Sequence, residues 1–513
     1  MNVFIRRNAL VLVFLIVLIG LLFVTYKDYG ISWDEQYYID FGKHYVIQFF
    51  DFFQIKHNLI DDSKRLGPLF QIHLKGHGVL LDIITIIILF LLRNSSFETI
   101  HLIKALLSVP IFLVVFIISS HLLGRRMGFY SLFILLLSPR FFGDIFDNTV
   151  DVRAALFFGL ALSFIIYYIK SNQNIYKTII LSLLLALAAN ERIIFIYLYL
   201  LTFFILIYLD VKLKKVLNHI LIKKQLVLLI FFLLFLHLFH PYLWSHPILG
   251  LFEFFISASN FQFQESVLFE GKNIIASILP WYYLIKMMLI TIPLSTLFLA
   301  GTGIIKIYFI IKNHRKTLIN RLNYLIIFAS FFIPLLLQIV IRPIIYDGWR
   351  QFLFLTIPLI IFASVGLNSI LKLKHSVLRI IISVFITINY LSVMKQMIIL
   401  HPYQYIYYNE LIGGLPGAFG KFETDYWCKS YKEAVVWFNS NINEEKKLYD
   451  IKVEGNSLSA SHYFKKNMSL VSKTEEADYI ITFTRWQRDK QYHGQIIKTI
   501  KRDGVPLVFI IKT

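Results

Sequence analysis

The sequence predicts an all-α polytopic membrane protein with about eleven transmembrane helices, followed by a small C-terminal α/β domain outside the membrane. Hydrophobic residues make up 57% of the 513 residues and charged residues 16%, whereas a soluble domain holds about 25% charged residues. The mean hydropathy of +0.67 indicates that lipid surrounds most of the chain. After Leu400 the long apolar segments stop, which predicts a change to a soluble region.

Apolar segments define the predicted spans, since a transmembrane helix needs about 20 apolar residues. Val79–Leu92 is short for a span, and we expect it to form an interfacial helix. The segments predicted to cross the bilayer are Leu10–Val24, Leu102–Leu123, Tyr130–Ser138, Ala154–Ile169, Ile179–Ala189, Ile193–Leu209, Leu226–Phe239, Tyr283–Ile311, Tyr324–Ile341, Phe352–Leu367 and Ile380–Val393.

Basic residues predict the orientation of these spans. Lys and Arg cluster in short segments between apolar runs, and all of these segments fall on the cytoplasmic side if Val79–Leu92 does not cross. We therefore expect a protein of the cytoplasmic membrane with a cytoplasmic N-terminus and an extracytoplasmic C-terminus. This arrangement accounts for the net charge of +20 without nucleic acid as a partner. The first apolar run is interpreted as a retained span, because no small-residue cleavage site follows it.

The expected domain division places a transmembrane domain at residues 1–400, with outer loops at 26–101 and 240–281, and an extracytoplasmic region at 401–513. So small a C-terminal domain is expected to need contact with the membrane part for stability. Its predicted elements are one helix and three strands: Ser430–Asn443, then Lys447–Val453, Asp478–Phe483 and Leu507–Ile511.

The first outer loop contains two adjacent carboxylates, Asp34 and Glu35, directly after Trp33. Carboxylates are costly to place near lipid, so a pair at this position suggests function. Such a group can act as a general base toward a hydroxyl or bind a cation. The alternative is a capping box in which Ser32 and Glu35 begin a helix, and the two interpretations are compatible.

Charged residues also flank the spans at two further outer positions. Arg140, Asp147, Asp151 and Arg153 lie in the second outer loop, where an arginine could bind phosphate through its planar fork. The alternative is that these arginines anchor helix ends and the aspartates cap them. Tyr346-Asp347-Gly348-Trp349-Arg350 begins a later span.

Three other outer features have plainer alternatives. Asn190-Glu191-Arg192 is predicted to be an ordinary polar turn with a local ion pair. His240, Tyr242 and Trp244 open the largest middle loop, where aromatic rings either stack on a sugar or form the usual interfacial belt. Two histidines are too few to argue for a metal site, and the single cysteine, Cys428, excludes a cysteine zinc cluster.

The Trp33-Asp34-Glu35 segment after the first span resembles the acidic motif of the membrane-embedded C-type glycosyltransferases. Within that superfamily the chain is most similar to the protein O-mannosyltransferase and lipid A aminoarabinose-transferase group. The stretches Ser138–Asp151, Tyr346–Arg350 and His401–Trp427 resemble bacterial members of that group, and the resemblance extends to about Trp437.

This resemblance implies an inverting glycosyltransferase that moves a sugar from a polyprenyl-phosphate donor to a hydroxyl acceptor at the outer membrane face. It implies that Asp34 is the general base and that Glu35 orients Asp34 or the acceptor. Asp151 is the best match to a second-loop catalytic carboxylate, and Asp147 is the alternative.

The resemblance also implies which residues bind substrate. Arg140, Arg153 and Arg350 are the candidate partners of the lipid phosphate, and Arg153 replaces a lysine that is expected before the second-loop aspartate, where this chain has Thr149-Val150. The candidate substrate-binding residues are Trp33, Asp147, His240, Tyr242, Trp244, Tyr346, Asp347 and Trp349.

Two other functions remain as alternatives: a lipid-linked sugar flippase or transporter, and a non-catalytic lipid-binding relative. A transporter would more often carry charges deep inside its spans and show paired repeats, whereas the charges in this chain gather at the outer ends. The expected partners are the bilayer, the lipid-linked donor and a hydroxyl-bearing protein, lipid or glycan. No cofactor is assigned, and a requirement for a divalent cation is left open.

Overall fold

The computed structural model describes residues 2–61, 76–212, 219–259 and 263–513, and it confirms a mainly helical membrane protein with a small C-terminal sheet domain. Its α-helices are Asn2–Thr25, Glu35–Phe52, Leu80–Leu92, Phe97–Leu123, Arg125–Leu136, Pro139–Asp144, Thr149–Lys170, Ile175–Glu191, Ile196–Lys212, His219–Leu238, Tyr242–Ser245, Leu249–Ser259, Tyr283–Thr291, Leu294–Lys312, Leu318–Ile341, Thr356–Leu371, Ser376–Leu400, Gly414–Ala418, Tyr431–Asn441 and Leu458–Ser461.

Within the described ranges, eight helices are long and apolar enough to cross a membrane. Eight of the eleven predicted spans correspond to these helices. The remaining three are also helical, and they lie in Arg125–Leu136, Ile175–Glu191 and His219–Leu238. The count of eleven spans therefore stays a prediction. The eight candidate spans are Asn8–Thr25, Phe97–Leu123, Val150–Lys170, Ile193–Lys212, Leu294–Lys312, Leu318–Ile341, Arg350–Leu371 and Ser376–Leu400.

The predicted span Tyr283–Ile311 is divided in the structure. One helix ends at Thr291 and the next begins at Leu294, with Ile292 in an extended conformation. Pro293 explains the break, because proline has no amide hydrogen and moves the preceding residue out of the helical region. Only the second helix is long enough to span.

Small residues let two central helices approach closely. A Cβ atom added to Gly303 would lie 1.9 Å from the carbonyl oxygen of Phe362, and one added to Gly366 would lie 2.0 Å from that of Leu299. Leu294–Lys312 and Thr356–Leu371 therefore pack backbone against backbone, as membrane helices with small residues at their interface do.

The helices Glu35–Phe52 and Leu80–Leu92 pack on each other beside the first turns of Phe97–Leu123. Leu80–Leu92 has 13 residues, which is about 20 Å at 1.5 Å per residue, whereas the hydrocarbon core is about 30 Å thick. Near their C-terminal ends, the two helices expose the large apolar side chains of Phe52 and Leu91. These features support the interfacial placement predicted for this segment.

The C-terminal domain contains the strands β3 Tyr449–Val453, β4 Met468–Val471, β5 Tyr479–Phe483, β6 Gln495–Arg502 and β7 Val505–Lys512. They form a mixed sheet with the order β4-β3-β5-β7-β6. β3 is parallel to β4 and β5, whereas β7 is antiparallel to β5 and β6. The predicted helix and three strands are present, but the sequence analysis missed β4 and β6, which are partner strands at the two edges of the sheet.

Polar contacts dock this domain on the membrane part. Asn456 donates a side-chain hydrogen bond to the carbonyl of Trp33 at 3.1 Å. The indole of Trp486 donates to the carbonyl of Ser266 at 2.8 Å, at the start of the two-stranded hairpin β1 Ser266–Phe269 and β2 Lys272–Ile275. The domain thereby contacts two loops of the membrane part that are distant in sequence.

Candidate active site

A cavity of about 590 Å³ lies between the membrane part and the C-terminal domain. Its walls come from nine separate stretches of the chain. The lining residues used below are Trp33, Asp34, Asp151, Arg192, Tyr346, Asp347, Arg350, Trp427, Arg485 and Trp486.

Arg350 lies at the centre of the charged wall of this cavity. Its guanidinium nitrogens lie 3.6 Å from a carboxylate oxygen of Asp34, 3.3 Å from one of Asp151 and 3.8 Å from one of Asp347. Arg350 is the first residue of the candidate span Arg350–Leu371, so the start of that segment positions its side chain. One cation thus holds three aspartates around the cavity.

Asp34 is the most accessible of the carboxylates on Arg350. Its side chain is 34% exposed, against 1% for Asp151. Burial of the surrounding site raises the pKa of the Asp34 carboxyl above its ordinary value of 3.8, and the nearby Arg350 opposes that rise. An accessible carboxylate with a raised pKa can accept a proton from a solute in the cavity.

Asp151 is fixed by groups from two helices. The side chain of Asn148, which caps the helix Thr149–Lys170, donates to one Asp151 oxygen at 3.0 Å. Arg192, the C-cap residue of the helix Ile175–Glu191, forms an ion pair with the other oxygen. Asp151 therefore holds both Arg192 and Arg350 at the cavity wall.

The C-terminal domain contributes a third arginine. Arg485 forms an ion pair with Asp347 at 2.7 Å and donates to the carbonyl of Tyr426 at 2.9 Å. Asp347 has a φ of 56° and is followed by Gly348 at 79°, so a sharp left-handed turn directs this carboxylate toward both Arg350 and Arg485.

Asp34, Asp151, Asp347, Arg192, Arg350 and Arg485 form what we call the aspartate–arginine cluster. When all six groups are ionised, its charges balance. A balanced cluster of this kind can exchange a carboxylate contact for a contact with an arriving anion.

Aromatic rings form the rest of the cavity wall. Arg350 lies over the ring of Tyr346 at 4.8 Å and over that of Trp427 at 5.2 Å. On the side of the C-terminal domain, Trp33 meets Trp486 edge to face at 6.1 Å. These apolar faces suit the C–H surface of a sugar ring beside the charged cluster.

Glu35 lies outside the cavity, although it follows Asp34 directly. Its oxygens accept hydrogen bonds from Lys104 at 2.8 Å and lie 3.0 Å from the His101 ring nitrogen. The predicted capping box is half formed, because the Ser32 amide donates to Glu35 at 3.4 Å while the helix shows no side-chain cap bond. Glu35 thus holds the start of its helix against Phe97–Leu123.

Arg153 is likewise paired with other residues of the chain and does not line the cavity. Arg153 pairs with Asp82 and with Glu191, the latter at 2.6 Å, and donates to the Gly78 carbonyl at 2.7 Å. It links the interfacial helix Leu80–Leu92 to the spans. Three donors of its guanidinium are therefore occupied outside the cavity lining.

Arg140 and Asp147 are buried beside the cavity rather than in its lining. The Arg140 Nε donates to the Tyr407 carbonyl at 3.2 Å, and its guanidinium lies over the Tyr408 ring at 4.9 Å. Asp147 pairs with Lys429 at 2.6 Å. Trp349 is buried as well, and its indole donates to the Thr291 hydroxyl at 2.8 Å.

The predicted aromatic group of the middle loop lies apart from the cavity lining. Burial lowers the pKa of His240 to about 4, and its ring packs on Phe254 at 4.6 Å. Tyr242 donates to Glu253, while Trp244 is exposed and donates to the His237 carbonyl at 2.9 Å. Among the candidate substrate-binding residues, the cavity therefore brings together only Trp33, Tyr346 and Asp347.

Sequence reasoning assigned no function to Arg192 or Arg485. The expected local ion pair in Asn190-Glu191-Arg192 is replaced by two longer-range pairs, since Glu191 binds Arg153 and Arg192 binds Asp151. The sequence did contain one signal for Arg192. Glu191 and Arg192 lie between two apolar segments, and charged side chains at such a position are energetically costly unless oppositely charged groups pair with them. Arg485 lies beyond the part of the chain covered by the resemblance, so no sequence signal identified it.

In the described residues, no group of three or more His, Cys, Asp or Glu side chains could hold a metal ion. The three cavity aspartates instead each face a guanidinium.

Comparison with known proteins concerns one segment of the chain and its overall fold. Residues 79–244 match the sequence profile of the dolichyl-phosphate-mannose-protein mannosyltransferase family. That segment contains Asp151 and Arg192 but neither Asp34 nor Arg350. No curated protein is significantly similar to the chain in sequence.

In structure, the chain is similar to ArnT from Cupriavidus metallidurans, both without ligand and bound to undecaprenyl phosphate. The TM-scores are 0.51 and 0.50, with 12% identity and 98% of each chain covered. It is also similar to the oligosaccharyltransferase of Archaeoglobus fulgidus, with a TM-score of 0.48, 9% identity, and 88% and 66% of the two chains covered.

The chain is thus an integral membrane protein that shares the fold of ArnT. The resemblance to the C-type glycosyltransferases is confirmed in its fold and in the matched segment 79–244.

Proposed function

We propose that this protein is an inverting glycosyltransferase that moves a sugar from a polyprenyl-phosphate carrier to a hydroxyl acceptor in the 590 Å³ cavity. The structure of ArnT with undecaprenyl phosphate supports a lipid-phosphate donor, because the two proteins share a fold. The family matched by residues 79–244 is named for transfer from a dolichyl-phosphate sugar.

One observation carries this proposal: an accessible carboxylate, Asp34, lies 3.6 Å from a buried guanidinium, that of Arg350, inside a cavity at the membrane part. Transfer from a phosphate carrier needs a base for the acceptor hydroxyl and a cation for the leaving phosphate. Asp34 and Arg350 provide both groups side by side.

In the proposed reaction, Asp34 takes the proton of the acceptor hydroxyl as its oxygen attacks the anomeric carbon. The bond from that carbon to the phosphate oxygen breaks, and the phosphate leaves with the electron pair. Arg350 and Arg192 stabilise the negative charge that develops on it. Attack from the side opposite the leaving group inverts the anomeric configuration.

The remaining site residues support these steps. Asp151 holds Arg350 and Arg192 in place, and Tyr346 and Trp427 orient the Arg350 guanidinium. The leaving phosphate adds negative charge to a balanced cluster, which favours a proton on Asp34 at the end of transfer. The sugar would pack on the aromatic wall.

The proposed membrane arrangement follows the basic segments. The transmembrane domain comprises residues 1–400, the N-terminus is cytoplasmic, and residues 401–513 lie outside the cytoplasmic membrane. Ser440 is exposed and the only native cysteine, Cys428, is buried. In a Cys428→Ser background, Ser440→Cys should react with an impermeant thiol reagent in intact spheroplasts. Labelling only after lysis would contradict this orientation.

The function is tested with cells that lack the protein and are complemented by variants. Mass spectrometry of the cell-envelope glycans should show one sugar increment that disappears in the deletion strain and returns with the wild-type protein. That mass also identifies the sugar class. An unchanged glycan profile on deletion would contradict glycosyl transfer.

Asp34→Asn is the decisive variant, because it keeps the size of the side chain and removes its basicity. We expect transfer by purified protein to fall about 10²–10⁴-fold. Asp28→Asn is the matched control, since Asp28 is half exposed, lies 2.8 Å from the His401 ring nitrogen and is not part of the cavity lining. Near-normal transfer by an Asp34→Asn protein that melts like wild type would rule out the base.

A further inference from the structure

A second cavity lies at the opposite end of the helix bundle from the candidate active site. It has a volume of about 240 Å³ and is formed where the helices Phe97–Leu123, Leu294–Lys312, Leu318–Ile341 and Arg350–Leu371 end or begin. The segment Arg350–Leu371 leads from one cavity toward the other, and its 22 residues span about 33 Å at 1.5 Å per residue. The two cavities therefore face opposite leaflets of the bilayer.

This second cavity is strongly basic. Lys306, Lys316 and Lys372 line it, and its lining in the described residues contains no carboxylate. The sequence stretches 99–143, 271–346 and 348–409, which include all of its lining, contain no aspartate or glutamate. The helices that form the cavity therefore offer no acidic partner at this end for the three ammonium groups.

Both polar and apolar groups complete the lining of the second cavity. Asn320 and Asn368 present side-chain amides, and Asn320 lies in the first turn of Leu318–Ile341, at the positive end of that helix. The lining also includes apolar side chains, among them Leu122 and Val365. A ligand that fits this lining has an anionic head and an apolar continuation.

We propose that this cavity binds the phosphate head group of an anionic phospholipid from the leaflet opposite the candidate active site. Basic pockets between transmembrane helices are suited to such head groups, since lysines at the membrane surface attract anionic lipids. The three lysines and two amides would contact the phosphate oxygens, while the apolar side chains receive the start of the acyl chains. This site is independent of glycosyl transfer.

Native mass spectrometry of the full-length protein in neutral detergent tests this site. The probes are phosphatidylglycerol, phosphatidylcholine and inorganic phosphate. We expect the wild-type protein to retain phosphatidylglycerol in preference to phosphatidylcholine. The combined variant Lys306→Gln, Lys316→Gln and Lys372→Gln should bind phosphatidylglycerol about 10- to 100-fold more weakly.

The matched control removes three other exposed lysines near the same helix ends, as Lys170→Gln, Lys312→Gln and Lys374→Gln. It has the same change in net charge and should keep wild-type binding. Because all three cavity lysines are exposed, their replacement should leave the melting temperature in neutral detergent unchanged. The three single variants supply graded losses if the combined variant is less stable.

Three results would overturn the proposal. Equal binding of phosphatidylcholine by wild type would remove the requirement for an anionic head group. Equal loss in the control variant would indicate diffuse surface charge rather than a site. Lysine-dependent binding of inorganic phosphate without binding of phosphatidylglycerol would assign the cavity to free phosphate and contradict the lipid.

Discussion

Asp34 and Glu35 are neighbours in the sequence, yet they lie in opposite environments. Asp34 is 34% exposed to the cavity, and its cation, Arg350, lies 3.6 Å away. Glu35 is fully buried between His101 and Lys104, at 3.0 Å and 2.8 Å. One carboxylate is therefore accessible from the cavity, whereas the next one in the sequence is buried between two basic side chains.

The start of a helix produces this difference. Asp34 is the N-cap and Glu35 the first residue of Glu35–Phe52, and successive residues of a helix point about 100° apart. Burial raises the pKa of Asp34. Burial would also raise the pKa of Glu35, but His101 and Lys104 outweigh it and lower that pKa. Neighbouring carboxylates can thus divide into one that exchanges protons and one that holds the fold.

Glu35→Gln should give the largest effect on stability. It would leave His101 and Lys104 buried with no anion between them, and breaking a buried ion pair costs about 3–5 kcal/mol. The melting temperature in detergent should fall clearly. Glu98→Gln is the control, because Glu98 lies 3.9 Å from Lys432 near the surface. A Glu35→Gln protein that melts normally but transfers no sugar would place Glu35 among the reacting groups instead.

Arg485→Gln should have a smaller effect, on catalysis rather than folding. Losing the pair with Asp347 would let that carboxylate compete for Arg350, and we expect kcat/KM to fall about 10- to 100-fold. Arg485 also lowers the pKa of Asp34, so the acidic limb of the pH profile should move to higher pH. Lys490→Gln, an exposed change in the same segment Arg485–Gln491 and outside the cavity lining, is the control. If the acidic limb of the pH profile did not move, Arg485 would have no effect on the protonation of Asp34 during the reaction.

The smallest expected effect is a separation of two pH dependences in the wild-type protein. Asp34 acts as a base only when ionised, so kcat/KM should fall as the pH drops through its raised pKa, above 3.8. Glu35 has a lowered pKa in the folded protein, so its contribution is present above its unfolded pKa and is lost only as the pH falls through the lower folded value. Activity measured against pH should therefore decline before the melting temperature does. A simultaneous decline would contradict the different roles.

Local patterns in the chain were enough to predict much of the fold. Long apolar segments identified the eight candidate spans, and a helix and three strands were predicted in the C-terminal domain. The edge strand β4 was missed because it has only four residues. The edge strand β6 was missed because its polar and apolar residues do not alternate with a period of two. Their partners in the sheet stabilise them instead.

The candidate site was less accessible to sequence reasoning. Asp34 was singled out as a carboxylate that is costly to place near lipid, and Arg350 by the resemblance as a phosphate partner; both line the cavity. Arg153 carries the same charge in a similar position, but Asp82 and Glu191 hold it outside the cavity lining. Residue type and placement alone do not distinguish these arginines.

Membrane embedding, the approximate positions of the spans and the gathering of charges at their ends follow from the sequence, because hydropathy and helix length depend on neighbouring residues. The pairing of those charges depends on tertiary packing. Arg350 reaches Asp151 across 199 positions, and Arg485 reaches Asp347 across 138. Such contacts arise only when helices and the C-terminal domain pack, since a buried charge is stable only where packing provides its partner.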